Sequence, residues 1–141
     1  MNILVIDGQG GKMGRRIVEE LCARHGGNIQ ITAVGTNSRA TESMMKGGAV
    51  RAATGENPVI VAAKQADIII EPIGIVIADA LYGEITPKMA LAVAQSRAHR
   101  VLLPVNRCGN RIAGVRECTA NELVENAMEM TDEIIKGTSR E

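Results

Sequence analysis

The residues Gly8-Gln9-Gly10-Gly11-Lys12-Met13-Gly14 place four glycines and one cation in a short run near the N-terminus. Glycine lets a ligand approach the backbone, because no Cβ holds it away. A helix starting inside such a run offers unpaired N–H groups and the positive end of its dipole. The chemistry implied is phosphate binding. The context supports it: Asn2–Ile6 is a continuous apolar run, and Ile17, Val18 and Leu21 then recur at helical spacing. The spacing departs from G-x-G-x-x-G, since position 13 is Met, and follows G-x-x-G-x-x-G through Gly8, Gly11 and Gly14. A P-loop fits worse, because Met13 rather than Ser or Thr follows Lys12. The competing reading is a tight strand–helix turn that binds nothing.

In a dinucleotide site the end of the second strand meets the adenosine ribose. An acidic residue there prefers NAD, and an Arg with small polar residues accommodates the 2′-phosphate of NADP. Here Gly35 is followed by Thr36, Asn37, Ser38 and Arg39, with no carboxylate before Glu42. The expectation is NADP(H) over NAD(H). The plainer alternative is that Asn37 or Ser38 caps the next helix and Arg39 is solvated.

Other loops share that edge of the sheet. Pro72, Ile73 and Gly74 offer backbone to a ribose or nicotinamide, or form a plain turn. Glu71 is a candidate general base if partly buried, and otherwise a solvated carboxylate or a cap. Thr54-Gly55-Glu56-Asn57 offers polar groups to a ligand, although Asn57 reads fully as a helix cap. Asn106, Arg107 and Cys108 bring together an amide, a cation and a thiol, and a thiol beside an Arg can be reactive. A packed Cys is the commoner case. His25 and His99 have no partners at metal or triad spacing. Met44-Met45 and Met128 with Met130 read as core filling or a subunit contact.

The elements that must position these groups alternate in type. Strands are predicted at Asn2–Ile6, Ile29–Val34, Ala49–Ala53, from Asp67 to Ile70, and at Val101–Val105. Helices are predicted over Met13–Ala23, through Ala40 and Met45, from an Asn57 cap with Pro58 to Gln65, over Ile75–Leu81, and from a Thr86 cap with Pro87 to Gln95. A turn at Cys108-Gly109-Asn110 suggests that Arg111–Val115 returns as an antiparallel edge strand. Thr119 and Glu122 form a capping box for a last helix to about Lys136, ended by Gly137. This order implies one α/β domain over residues 1–137, with a frayed tail at 138–141. The fold expected is doubly wound and Rossmann-like, with a mostly parallel sheet and helices on both faces.

Composition narrows the partners. Sixteen basic residues balance sixteen acidic ones, which disfavours nucleic acid. No apolar run has membrane-spanning length, and the N-terminal run lacks the flanks of a signal peptide. Cys22, Cys108 and Cys118 show no C-x-x-C spacing, so neither zinc nor a disulfide framework is expected, and reduced thiols fit a cytoplasmic location. Tyr82 is the sole aromatic residue, so a base or nicotinamide would rest mainly on aliphatic side chains, peptide planes or an Arg. A compact α/β unit of this size commonly forms a homo-oligomer, in the first instance a dimer.

The stretch Val5-Ile6-Asp7-Gly8-Gln9-Gly10-Gly11-Lys12-Met13-Gly14-Arg15 resembles the cofactor loop of dihydrodipicolinate reductases, which carry a similar Gly-x-Gly-Gly-(basic)-Met-Gly run. The likeness covers this first unit alone. The chain has neither their substrate domain nor their His-rich catalytic motif, so it implies no shared activity. Over most of its length the chain is similar to a family of short, uncharacterised bacterial Rossmann-like proteins. Gly35-Thr36-Asn37-Ser38, Ala53-Thr54-Gly55-Glu56-Asn57 and Glu84-Ile85-Thr86-Pro87-Lys88-Met89 carry that likeness. It implies a fold and little about a reaction. Three functions follow: a stand-alone nucleotide-binding protein leaning to NADP(H), a small NAD(P)-dependent oxidoreductase with a site shared between subunits, or a structural module of a larger complex. Fold alone does not choose among them.

Overall fold

The computed structural model describes residues 1–105 and 107–138. Five strands form one parallel sheet in the order β3-β2-β1-β4-β5. They are β1 (Asn2–Asp7), β2 (Gln30–Gly35), β3 (Arg51–Thr54), β4 (Ile68–Pro72) and β5 (His99–Leu103). The helices are α1 (Lys12–His25), α2 (Ser38–Lys46), α3 (Glu56–Gln65), α4 (Pro87–Gln95) and α5 (Ala120–Thr138). This is a doubly wound, Rossmann-like arrangement.

Strand burial explains the order. All of β4, and β1 from Ile3 onward, are buried, as strands covered on both faces must be. Alternate side chains feed two cores. Ile3, Val5, Ile68 and Ile70 pack with Ile17, Leu21, Met44 and Met128 under α1, α2 and α5. Leu4, Ile6 and Ile69 pack with Val59, Ala63, Met89 and Val93 under α3 and α4. Met44 and Met128 are therefore core residues, while Met45 and Met130 are exposed. Among the described residues no helix is long and apolar enough to cross a membrane.

Three helix starts follow their sequence signals. The Asn37 side chain accepts from Ala40 N, Thr86 accepts from Met89 N, and Thr119 accepts from Glu122 N. The helix after β3 starts earlier than expected. Gly55, with φ of 101°, takes the cap position, and Asn57 lies in the first turn. Pro58 loses nothing there, because first-turn N–H groups lack intrahelical acceptors.

Two expected elements are absent among the described residues. Arg111–Val115 forms no antiparallel strand, and β5 is the sheet's edge. Gly114 is left-handed (φ 80°), which breaks the extended run. Ile75–Leu81 is not an α-helix. A short 3-10 turn at Ile73–Val76 leads instead into a turn in which Asp79, Leu81, Tyr82 and Gly83 all have positive φ. Burial of Ala80, Leu81 and Ile85 holds this strap in place. At the C-terminus α5 runs through Gly137 to Thr138, and the rest of the expected tail lies outside the described residues.

Candidate functional site

The turn between β1 and α1 is built around Asp7. Its carboxylate is buried and accepts from Gly8 N at 2.8 Å and Gly14 N at 2.7 Å. Burial pushes the carboxyl up to about 6; the two N–H bonds work against that shift, and nearby Glu84 adds to it. Gly11 N donates to Gly8 O at 3.0 Å and closes the turn.

Three of the four glycines are required by the protein's own packing. A Cβ on Gly8 would meet Leu81 Cδ1 at 2.7 Å and Thr36 Oγ1 at 2.8 Å. Gly11 is left-handed (φ 71°), and its Cβ would meet the Ala40 backbone at 2.6 Å. On Gly14 it would meet Asp7 Cβ and Met44 Sδ, both at 2.7 Å. Gly10 differs. A Cβ there meets nothing within 4 Å, and its φ is not positive. No internal contact explains this glycine.

Gly10, Lys12 and Met13 also keep their N–H groups without a protein acceptor among the described residues. They line a cleft of about 330 Å³ together with Asp7, Gly8, Gln9, Gly11 and Val105. First-turn N–H groups, here those of Lys12 and Met13, point out of a helix end and offer donors to an anion, beside the Asp7 carboxyl that lines the same cleft. A second cleft of about 580 Å³ adjoins it through Gly10 and Lys12. That cleft carries Lys12, Arg15, Arg16, Arg39 and Lys46 against Glu19 and Glu42. Arg15 pairs with Glu19 and Lys46 with Glu42. Among the described residues no carboxylate lies within ion-pair distance of Lys12, Arg16 or Arg39.

The end of β2 is occupied differently. Glu84, from the strap, reaches back across the sheet edge. Its Oε1 accepts from Thr36 Oγ1 at 3.0 Å and from Asn37 Nδ2, and its Oε2 accepts from Gln9 N at 3.3 Å. Asn37 also donates to Gln9 O at 3.0 Å. Thus Asn37 both caps α2 and ties the strap to the glycine loop. Ser38 and Arg39 are exposed. No sequence reading of a β2-end carboxylate would find Glu84, because Thr36 and Glu84 lie 48 positions apart.

The remaining candidates scatter. Pro72 and Gly74 are buried, and Ile73 lines a separate cavity of about 490 Å³ beside β5 with Leu102, Ile112 and Met130. None of the three lines the glycine-loop cleft. Thr54 is engaged by Thr41, Oγ1 to Oγ1 at 2.6 Å. Arg107 donates to Pro104 O, Cys108 is exposed, and Asn106 lies outside the described residues. His25 bonds Asp132 and ties α1 to α5.

Glu71 is fully buried, and neither carboxyl oxygen has a hydrogen-bond partner. Burial pushes its carboxyl up to about 8, against an opposing pull from Arg100. It is therefore neutral at pH 7, an acid with no solvent access.

No curated protein and no solved structure matches the chain. A family model described as a domain of unknown function, DUF3842, matches residues 2–136, and the chain belongs to that family.

Proposed function

We propose that this DUF3842 member binds a phosphorylated nucleotide, with a phosphate on the N–H groups of Gly10, Lys12 and Met13. The carrying observation is Gly10. It is the one glycine of the loop that neither packing nor backbone conformation requires, and it borders both clefts. A missing side chain with no internal cause is what close approach of a ligand needs.

The ligand class follows from charge. Among the described residues Lys12, Arg16 and Arg39 have no carboxylate within ion-pair distance, so a second phosphate is accommodated there. A dinucleotide with a diphosphate and a separate phosphate, NADP(H), suits two adjoining anion sites. NAD(H) is the second reading, and Glu84 favours it by supplying a carboxylate beside the expected ribose position. The oxidoreductase reading has less support. Glu71 is sealed from solvent, and Asp7, the one carboxyl among the described residues lining the cleft, is buried and committed to the Gly8 and Gly14 N–H groups.

The test is to denature the purified protein and identify released small molecules by mass. It is paired with calorimetric titration of ADP, NAD(H) and NADP(H). A released nucleotide, or saturable binding of any of these, supports the proposal. A ligand-free protein that binds none of them at millimolar concentration removes it.

A further inference from the structure

The donors at the end of β2 already hold an anionic group, and that group belongs to the protein. Thr36 Oγ1, the Asn37 side-chain amide and Gln9 N all point their hydrogens at the Glu84 carboxylate. Thr36 and Asn37 stand where a 2′-phosphorylated ribose would need donors. Glu84 is half-buried, so its charge is only partly screened by water.

The strap that delivers Glu84 is well anchored. Leu81 fills the space over Gly8, and Ile85 is fully buried. Asp79 N donates to Ile85 O at 2.7 Å, and Glu84 N donates to Leu81 O at 3.2 Å. Asp79, Leu81 and Tyr82 accept left-handed backbone, at φ of 64°, 55° and 57°, to make this turn. The fold thus holds strained residues in place where they carry Glu84 to the loop.

We infer that Glu84 is a specificity-determining residue for the nucleotide site: its carboxylate weakens binding of a ribose carrying a 2′-phosphate relative to one with a free 2′-hydroxyl, against the pull of the neighbouring cations. The inference rests on the phosphate-site reading above and refines it. A 2′-phosphate would have to take the Thr36, Asn37 and Gln9 donors from Glu84 and lie beside its negative charge. A hydroxyl can donate to Oε2, which holds only the longer bond from Gln9 N. Discrimination thus comes from a repulsive element supplied by a distant segment. Arg39 and Lys12 pull the other way, so the ligand's preference measures the balance between them and Glu84.

The experiment is calorimetric titration of wild type and Glu84→Gln with NAD+, NADP+ and ADP. Glu84→Gln is expected to raise NADP+ affinity about tenfold or more relative to NAD+, since it removes one like charge from the subsite. An unchanged NADP+ to NAD+ ratio, with ADP still bound, overturns the inference and leaves the phosphate site standing. Absence of binding by all three to both proteins overturns the phosphate-site reading and the inference with it. If Glu84→Gln does not fold, wild type answers the question through the side-chain carboxyl 13C resonance of Glu84. That resonance should move on saturation with NAD+, whose 2′-hydroxyl donates to Oε2, and by a different amount with NADP+, which withdraws the Thr36, Asn37 and Gln9 donors; equal movement with both overturns the inference.

Discussion

Asp7 and Glu71 are buried carboxyls at the same edge of neighbouring strands, and the protein treats them oppositely. Asp7 receives two backbone N–H bonds from the glycine loop and faces α1. Glu71 receives none and, by strand alternation from Ile69, faces the α3–α4 layer. Burial raises both, to about 6 and about 8. The two N–H bonds help explain why Asp7 is raised less. Asp7 belongs to the loop's scaffold, whereas Glu71 is tolerated by keeping its proton.

The largest test of this contrast is stability against pH. A carboxyl raised in the folded state binds protons more tightly than in the unfolded chain. Stability therefore falls as pH rises between the two values. For Glu71 that window runs from 4.5 to about 8. The loss across it is on the order of 5 kcal/mol. Glu71→Gln should flatten the slope of chemical-denaturation stability between pH 6 and 8. An undiminished slope in the variant would assign it to another group. Asp7 contributes over 3.8 to about 6, so its share is complete before neutrality and should persist in Glu71→Gln.

Gly14→Ala comes next. Its Cβ would press on Asp7 and Met44 at once. Overpacking of this kind costs about 2–3 kcal/mol, readable as a lowered urea midpoint. An unaltered midpoint would mean that the loop can retreat from α2. Asp7→Asn should cost about 1–2 kcal/mol, because an amide presents one acceptor oxygen to two N–H donors. Thr36→Val is the smallest change, near 1 kcal/mol, since it removes one bond to Glu84. A neutral outcome there would show that Asn37 and Gln9 hold the strap alone.

The sequence carried the scaffold better than the site. Apolar runs marked the central strands, and Thr86-Pro87, Asn37 and Thr119 marked helix starts through local hydrogen bonds. Local signals fail where long-range packing decides. Ile75–Leu81 is apolar enough for a helix, yet Leu81 packs over Gly8 and the chain turns there instead. Arg111–Val115 reads as a strand until Gly114 breaks it. The glycine loop was legible as a motif. Which of its glycines serve packing was not, because Leu81, Ala40 and Met44 come from other elements. Glu84 was invisible at the end of β2 for the same reason, being delivered there from the strap after β4.

The central claim therefore narrows to one residue. Gly10→Ala should leave the unfolding midpoint within error of wild type, because its Cβ has open space. It should weaken binding of ADP or a nicotinamide dinucleotide by about tenfold or more, because the backbone can no longer approach the phosphate. Both quantities come from one protein sample, by thermal unfolding and calorimetric titration. Wild-type affinity in Gly10→Ala would contradict the account.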